Sequence, residues 1–126
     1  MRMPNKVLEA INSGERVATV RGDRFTGKTN SIIDAVRATP DKRILIISIT
    51  FGAARTISKK LSDCNNFLSK DYHAVTELSD IKGFYPDIII IDDFSYLYDI
   101  DGFDGSRLQM ALNSVKREHT QLIRVG

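Results

Sequence analysis

A glycine-rich loop near the start of the chain has the residue types and spacing that hold a phosphate chain. Residues 22–29 are Gly-Asp-Arg-Phe-Thr-Gly-Lys-Thr, which satisfies the pattern G-x-x-x-x-G-K-[ST]. The two glycines allow backbone turns in which successive N–H groups point at an anion. Lys28 would bring an ammonium to the β- and γ-phosphates, and the Thr29 hydroxyl would ligate magnesium. The loop therefore predicts binding of a nucleoside triphosphate.

The elements on either side of this loop support that prediction. The short apolar run 17–20 precedes it as a strand, and a helix predicted at Lys28–Ala38 follows it, with Ile32, Ile33 and Val36 on one face. The positive amino end of that helix would point at the bound anion. The alternative is a glycine turn that merely contains Lys-Thr, and the matching context argues against it. The predicted nucleotide-binding residues are Gly22, Asp23, Arg24, Phe25, Thr26, Gly27, Lys28, Thr29 and Asn30.

Two adjacent carboxylates form the second chemical element. Asp92 and Asp93 directly follow four consecutive isoleucines, 88–91, which fit a buried strand. Asp92 resembles the Walker B aspartate, which orients magnesium through water, and Asp93 stands where a carboxylate can polarise the attacking water. The alternative is that the pair ends a strand and begins a turn, where aspartate is common.

Apolar periodicity predicts the elements that must position these residues. Helices are predicted over 5–12, Lys28–Ala38, 53–61, 76–82 and 106–115, and strands over 17–20, 43–49, 72–75, 88–91 and 122–125. The leading helix would end near Gly14 and cover one edge of the sheet. Alternation of strand and helix implies an α/β fold with a mainly parallel sheet and right-handed crossovers. In such a sheet, ligands gather at the carboxyl ends of the strands, so the loop and the aspartates can meet.

Size and composition set limits on the kind of protein. The 126 residues form a single predicted domain, 1–126, and 18 basic against 16 acidic residues give a net charge of only +2. This balance neither favours nor disfavours nucleic acid as a partner. The single Cys64 forms no internal disulfide, and with His73 and His119 it gives no zinc-ligand spacing. No segment resembles a signal peptide or membrane span, so we expect no membrane association and a cytoplasmic location.

With both motifs in place, most of the chain resembles the P-loop NTPases of the additional-strand (ASCE) class. A strand lies between those of Walker A and Walker B in this class, and 44–49 would be that strand. The resemblance implies a three-layer P-loop NTPase fold, minimal or truncated, with ATP and Mg²⁺ as cofactors. The usual second acid is glutamate, so Asp93 departs from the commonest form, although a double aspartate is familiar among replication initiators and helicase loaders. Aspartate in place of glutamate at this position concerns efficient hydrolysis of the nucleotide and not its binding.

A finer resemblance is to viral terminase motors and helicases. Their Walker A loop often contains an arginine, as Arg24 does here, and their second strand runs into a threonine and an alanine-containing helix start, as in 49–55. The resemblance implies an ATPase with Lys28, Asp93 and Arg24 as catalytic residues. It also implies coupling to DNA or RNA, assembly as a homo-oligomer or larger motor whose neighbour supplies an arginine finger, and the host cytoplasm if the source is viral.

Other interpretations stay open. Arg24 can equally be a solvated loop residue, Thr50 a helix cap and Arg55 a surface side chain. A small nucleoside or nucleotide kinase would share the loop, but the chain has no arginine-rich lid segment. The chain stops at Gly126, in the strand after Walker B, which fits either an excerpt of a longer protein or a minimal nucleotide-binding assembly factor without catalysis.

Overall fold

The structure, a computed structural model, describes residues 5–20, 28–48, 50–77, 84–92, 112–113 and 115–126. Its strands are β1 Val17–Val20, β2 Ile44–Ser48, β3 Phe67–Asp71, β4 Ile88–Ile91 and β5 Gln121–Val125. Its helices are α1 Lys6–Ser13, α2 Lys28–Ala38, α3 Phe51–Lys60 and α4 Tyr72–Glu77. Residues 112, 113 and 115 are also helical, within the predicted segment 106–115 whose other members lie outside the described residues.

The five described strands run parallel in one sheet of order β1-β5-β4-β2-β3. The central strands β2 and β4 are buried along their whole length. Near-continuous isoleucine is what a parallel strand covered on both faces requires, because neither face meets water. The predicted α/β class with a parallel sheet is therefore confirmed.

Helices cover both faces of this sheet, because alternate residues of each strand point to opposite sides. On the first face α1, α2 and α3 pack against the sheet through Val7, Ile11, Ile32, Ile33, Val36, Ile57, Val20, Ile44, Ile46, Ile88, Ile90, Ile123 and Val125. On the second face the core consists of Leu45, Ile47, Ile89, Ile91, Leu122, Tyr72, Val75, Leu112 and Val115. The described elements thus form a helix, sheet and helix layering.

The strand between β1 and β4 differs from the prediction. We predicted 44–49 for this position, but the structure has β5 there, with Ile123 facing Ala18 of β1 on one side and Ile90 of β4 on the other. β2 instead lies on the far side of β4. The apolar pattern identifies a buried strand but not its neighbours, so order along the chain was wrongly taken as order across the sheet.

Local sequence explains where the helices begin and end. The Asn5 side chain accepts a hydrogen bond from the Leu8 N–H at 3.0 Å and caps α1. Gly14 ends that helix with φ 75°, a left-handed conformation that glycine adopts without a steric penalty. The Thr50 hydroxyl accepts from the Ala53 N–H at 3.1 Å, so its interpretation as a helix cap is confirmed and α3 begins at Phe51.

The segment after α3 was predicted wrongly. The chain is helical over Tyr72–Glu77, where 72–75 was expected to be extended, and the strand is Phe67–Asp71. Tyr72 and Val75, three residues apart, both pack on the second face of the sheet, as helical periodicity requires. β3 is half-buried throughout because it lies at the edge of the sheet, so its apolar signal is weak. Of the helix predicted at 76–82, residues 78–82 lie outside the described residues.

Candidate functional site

The carboxyl edge of the sheet brings three chain segments together. β2 ends there at Ser48, Asp92 follows β4 there, and α2 begins after the loop that leaves β1. The Asp92 N–H donates to the Ile47 carbonyl at 2.9 Å, which extends the β4–β2 pairing past the end of β4. Because ligands of parallel α/β sheets bind at this edge, it is the candidate site.

Asp92 and Ser48 occupy the side of the sheet that α2 covers. Ile46 and Ile90 lie in the first-face core together with Ile32 of α2. Ser48 and Asp92 each stand two residues further along their strands and continue the same alternation. Both are buried, at 1% and 6% exposure. A hydroxyl and a carboxylate therefore end two neighbouring strands, on the face of the sheet that carries α2.

α2 is held firmly in this position. Its predicted apolar face is confirmed, since Ile32, Ile33 and Val36 are all buried against the sheet. The Asn5 amide donates to the Ser31 carbonyl at 2.9 Å, which ties the start of α1 to the first turns of α2. The amino end of α2, which carries the positive pole of the helix, consequently points to the carboxyl edge, where an anion would be stabilised.

The predicted site residues divide into those that are described and those that are not. Lys28 is the first residue of α2, Thr29 is half-buried and Asn30 is exposed in the same turn. Asp92 lies at the expected edge. The other predicted site residues lie outside the described residues: Gly22, Asp23, Arg24, Phe25, Thr26, Gly27 and Asp93. The structure thus places Asp92 after β4 and Lys28 at the start of α2, and the loop and the second aspartate stay predictions.

The chemistry of the donors suits magnesium better than a softer metal. Among the described residues no group of three or more His, Cys, Asp or Glu side chains could hold a metal ion. Mg²⁺ does not need such a cage, because it keeps several waters and is bound through one or two carboxylates plus substrate phosphates. The Thr29 hydroxyl and the Asp92 carboxylate are hard oxygen donors of this kind, so the residues present fit Mg²⁺.

Sequence analysis missed Ser48. No described residue forms a hydrogen bond with its buried Oγ. The sequence does contain a feature that could have indicated this residue. Ser48 is the one polar residue of the strand Ile44–Ser48, and it ends that strand at the edge where ligands bind in parallel sheets. A lone hydroxyl closing an otherwise aliphatic strand is a reasonable candidate for a site residue.

A groove of about 290 Å³ lies beside the same edge, between α3 and the edge strand β3. Its wall includes Phe51, Arg55 and Lys70, together with the acidic Asp71. Phe51, in the first turn of α3, is 68% exposed, which is unusual for a phenylalanine. Arg55 is exposed, in agreement with the surface interpretation of that residue.

The opposite, amino edge carries a hydrogen-bonded polar network. Asp87, just before β4, accepts from the Arg43 N–H at 3.0 Å and contacts the His119 Nε2 at 2.9 Å. Burial alone would raise the pKa of Asp87, but the Arg43 N–H, the His119 hydrogen bond and charge, and the Lys42 charge lower that pKa below its ordinary value of 3.8. The ionised carboxylate is therefore stabilised in the folded state.

Thr120 and two arginines complete this amino-edge network. The buried Thr120 hydroxyl donates to the Pro86 carbonyl and accepts from the Arg117 N–H, both at 2.9 Å. The Arg117 guanidinium stacks over the Tyr85 ring at 4.0 Å from its centre. Arg43 lies over Phe84 in the same way, at 4.6 Å. These contacts join the starts of β4 and β5, and they give the edge a structural role.

Two further observations bear on what the site can be. No helix in the described part of the chain is long and apolar enough to cross a bilayer. Compared with known proteins, the sequence matches no family model and no curated protein. Function is therefore inferred from the chemistry of the carboxyl edge.

Proposed function

We propose that this chain binds ATP with Mg²⁺ and hydrolyses it, as a P-loop NTPase. The observation that supports the proposal is that the sheet is parallel, so Asp92 and the loop that follows β1 belong to the same edge of it. Asp92 ends the buried β4 there, and α2 begins there directly after a loop with the G-x-x-x-x-G-K-[ST] pattern. A buried carboxylate and the positive end of a helix at one edge of a sheet suit a metal-bound triphosphate.

The order of the strands supports this proposal. β5 separates β1 from β4, so the ends of the two motif strands lie about 10 Å apart, twice the spacing of neighbouring strands. A gap of that size accommodates a phosphate group and a hydrated cation between loop and carboxylate. A strand inserted between those of Walker A and Walker B is also the feature of the additional-strand class, with β5 in that position.

Each residue then has a defined task. The loop N–H groups and Lys28 hold the phosphates, and Thr29 with Asp92 holds the cation. When bound, Mg²⁺ neutralises charge on the phosphate oxygens. Asp93 orients the attacking water for in-line displacement, and Arg24 stabilises charge on the phosphates that are being separated. Most of the catalytic effect comes from positioning and electrostatics, which a buried edge provides better than an open surface.

The groove between α3 and β3 supports coupling to nucleic acid. An exposed aromatic ring offers a stacking surface for a base, and Arg55 and Lys70 offer charge for the phosphate backbone. The groove begins at Phe51, three residues after Ser48, so a strand bound there would lie next to the hydrolytic site. We propose a motor or remodelling ATPase, in which a neighbouring subunit or a larger assembly supplies an arginine finger.

Two measurements on the whole chain test this function. Lys28→Ala should weaken ATP binding about 10- to 100-fold, the value of a lost hydrogen bond between charged groups. The matched control is Lys59→Ala, which removes an exposed lysine in the last turn of α3 and should leave affinity unchanged. Equal affinities for the two variants would contradict the proposal.

Turnover should also be measured with and without single- and double-stranded DNA and RNA. Stimulation by one of these polymers is the result expected of a motor. Unstimulated hydrolysis would restrict the function to a nucleotide switch or assembly factor, and phosphate transfer to a nucleoside would indicate a kinase instead.

A further inference from the structure

Ser48 is a buried polar residue that the proposed chemistry does not yet use. Its Oγ is inaccessible to water, and no described residue forms a hydrogen bond with it. The residues before it in β2 are aliphatic and fully buried, so a small apolar side chain would suit the same position. A hydroxyl kept dry without a partner costs free energy that an apolar side chain would not. Packing therefore does not explain this hydroxyl, whereas a group bound beside it would.

The pairing of the strands shows what lies beside it. Ile47 of β2 faces Ile91 of β4, so Ser48 and Asp92 are the next two neighbours across the sheet. The Asp92 N–H donates a hydrogen bond to the Ile47 carbonyl, which keeps the two strands paired at that point, with a spacing of about 5 Å between them. Both side chains belong to the face covered by α2, where Thr29 lies in the first turn. The Ser48 hydroxyl is thus next to the carboxylate that the proposed metal site requires.

We propose that Ser48 is a positioning residue of the magnesium site: its hydroxyl oxygen accepts a hydrogen bond from a water of the hydration shell of Mg²⁺. The inference rests on the proposed function, because it presupposes that Thr29 and Asp92 hold the ion. Mg²⁺ gives up its waters reluctantly, and the waters it keeps are strong hydrogen-bond donors that need acceptors from the protein. Removing a residue that hydrogen-bonds to the ligands of a metal commonly lowers metal affinity 10- to 100-fold.

The test measures binding of a fluorescent ATP analogue at equilibrium, with Mg²⁺ and with EDTA. In Ser48→Ala, the gain in affinity that Mg²⁺ provides should fall about 10-fold, while affinity in EDTA stays unchanged. Ser48→Thr and Ser48→Val form a matched pair of equal shape that differs in the hydroxyl. The threonine variant should retain the Mg²⁺-dependent gain, and the valine variant should lose it as alanine does. Mn²⁺ binding followed by electron paramagnetic resonance gives a second readout that does not depend on turnover.

Thermal unfolding of the nucleotide-free variants separates this role from a packing role. Removing an unsatisfied buried hydroxyl should leave the melting temperature of Ser48→Ala unchanged or raise it by about 4 °C. A variant that is at least as stable but binds the metal complex more weakly supports a site role. If Ser48→Ala instead lowers stability and affinity in EDTA and in Mg²⁺ by equal factors, Ser48 only maintains packing and the inference is wrong.

Asp92→Asn serves as the reference that keeps this inference distinct from the proposed function. If Asp92→Asn loses the Mg²⁺-dependent gain and Ser48→Ala keeps it, Ser48 has no part in a site that is otherwise as proposed. If neither variant changes that gain, the metal site itself is misplaced and the proposed function loses its support.

Discussion

The two edges of the sheet treat buried polar groups in opposite ways. At the amino edge, Thr120 donates and accepts a hydrogen bond, and the Asp87 carboxylate has partners on both oxygens. At the carboxyl edge, the equally buried Ser48 hydroxyl has no hydrogen-bond partner among the described residues. The described strands therefore end in a hydrogen-bonded network at one edge and beside the unpartnered Ser48 hydroxyl at the other. The hydrogen bonds described at the amino edge stabilise the fold, and the proposed site lies at the other end of the same sheet.

The largest effect that tests this difference between the two edges is expected on ATP turnover, when Asp92 is substituted. Asp92→Asn keeps the shape of the side chain but removes the negative charge that would hold Mg²⁺. We expect ATP turnover to fall about 100-fold or more, a typical loss when an electrostatic partner of the reacting phosphates is removed. Steady-state hydrolysis measures this loss, and circular dichroism should show an unchanged fold. Turnover close to that of the unmodified protein would show that the carboxyl edge is not the hydrolytic site.

The second effect is expected when Thr120, at the amino edge, is substituted. It should change the stability of the fold and not the affinity for ATP. Thr120→Val leaves the Arg117 N–H and the Pro86 carbonyl without their partner, so the free energy of unfolding should fall by about 2 kcal/mol. Urea unfolding measures the loss. Thr120→Ser keeps the hydroxyl and should lose less, and ATP affinity should be the same in both variants. A clear loss of ATP affinity in Thr120→Val would mean that the two edges are not independent.

The smallest effect is expected at Asp87 and depends on pH. Because its pKa is lowered on folding, the ionised carboxylate stabilises the protein fully above the ordinary pKa of 3.8. This stabilisation is lost as pH falls through the lower pKa of the folded state. Asp87→Asn should therefore reduce the free energy of unfolding by about 1 kcal/mol at neutral pH. The difference in the free energy of unfolding between the variant and the unmodified protein should vanish in strong acid. Unfolding curves at several pH values measure it, and a difference that stays constant with pH would show that the lowered pKa is not its cause.

Sequence alone predicted the elements with strong periodicity and the parallel sheet, but not which strand lies between β1 and β4. The helix Lys28–Ala38 and the strand at 88–91 were predicted at the bounds the structure has, because each has an uninterrupted apolar pattern. Which strands are neighbours depends on crossover paths, and several equally apolar strands are compatible with the same positions. The exchange of β2 and β5 in the sheet order follows from that ambiguity.

The candidate site was predictable where residue type alone specifies the chemistry. The Asp92 prediction depended only on a carboxylate following a buried strand, and the structure has it buried at the expected edge. Ser48 was missed because serine is common at strand ends, and its significance depends on burial and on the lack of a partner, which only coordinates show. The edge strand β3 was missed for a related reason, since half-buried residues give no clear alternation.

The position of β5 has a consequence for how the protein folds. Among the described strands, β1 pairs only with β5, so the strand leading into the predicted phosphate-binding loop cannot join the sheet until β5 does. The hydrogen bonds around this pair of strands join residues far apart in the sequence. The Arg16 guanidinium donates to the Glu118 carbonyl, 102 residues away, and the Gln121 amide donates to the Ile11 carbonyl, 110 residues away. Such pairings form slowly because a long loop must first be closed. During synthesis the loop emerges early but its strand gains a partner only after β5 has emerged, so the proposed nucleotide binding would have to follow the pairing of β1 with β5.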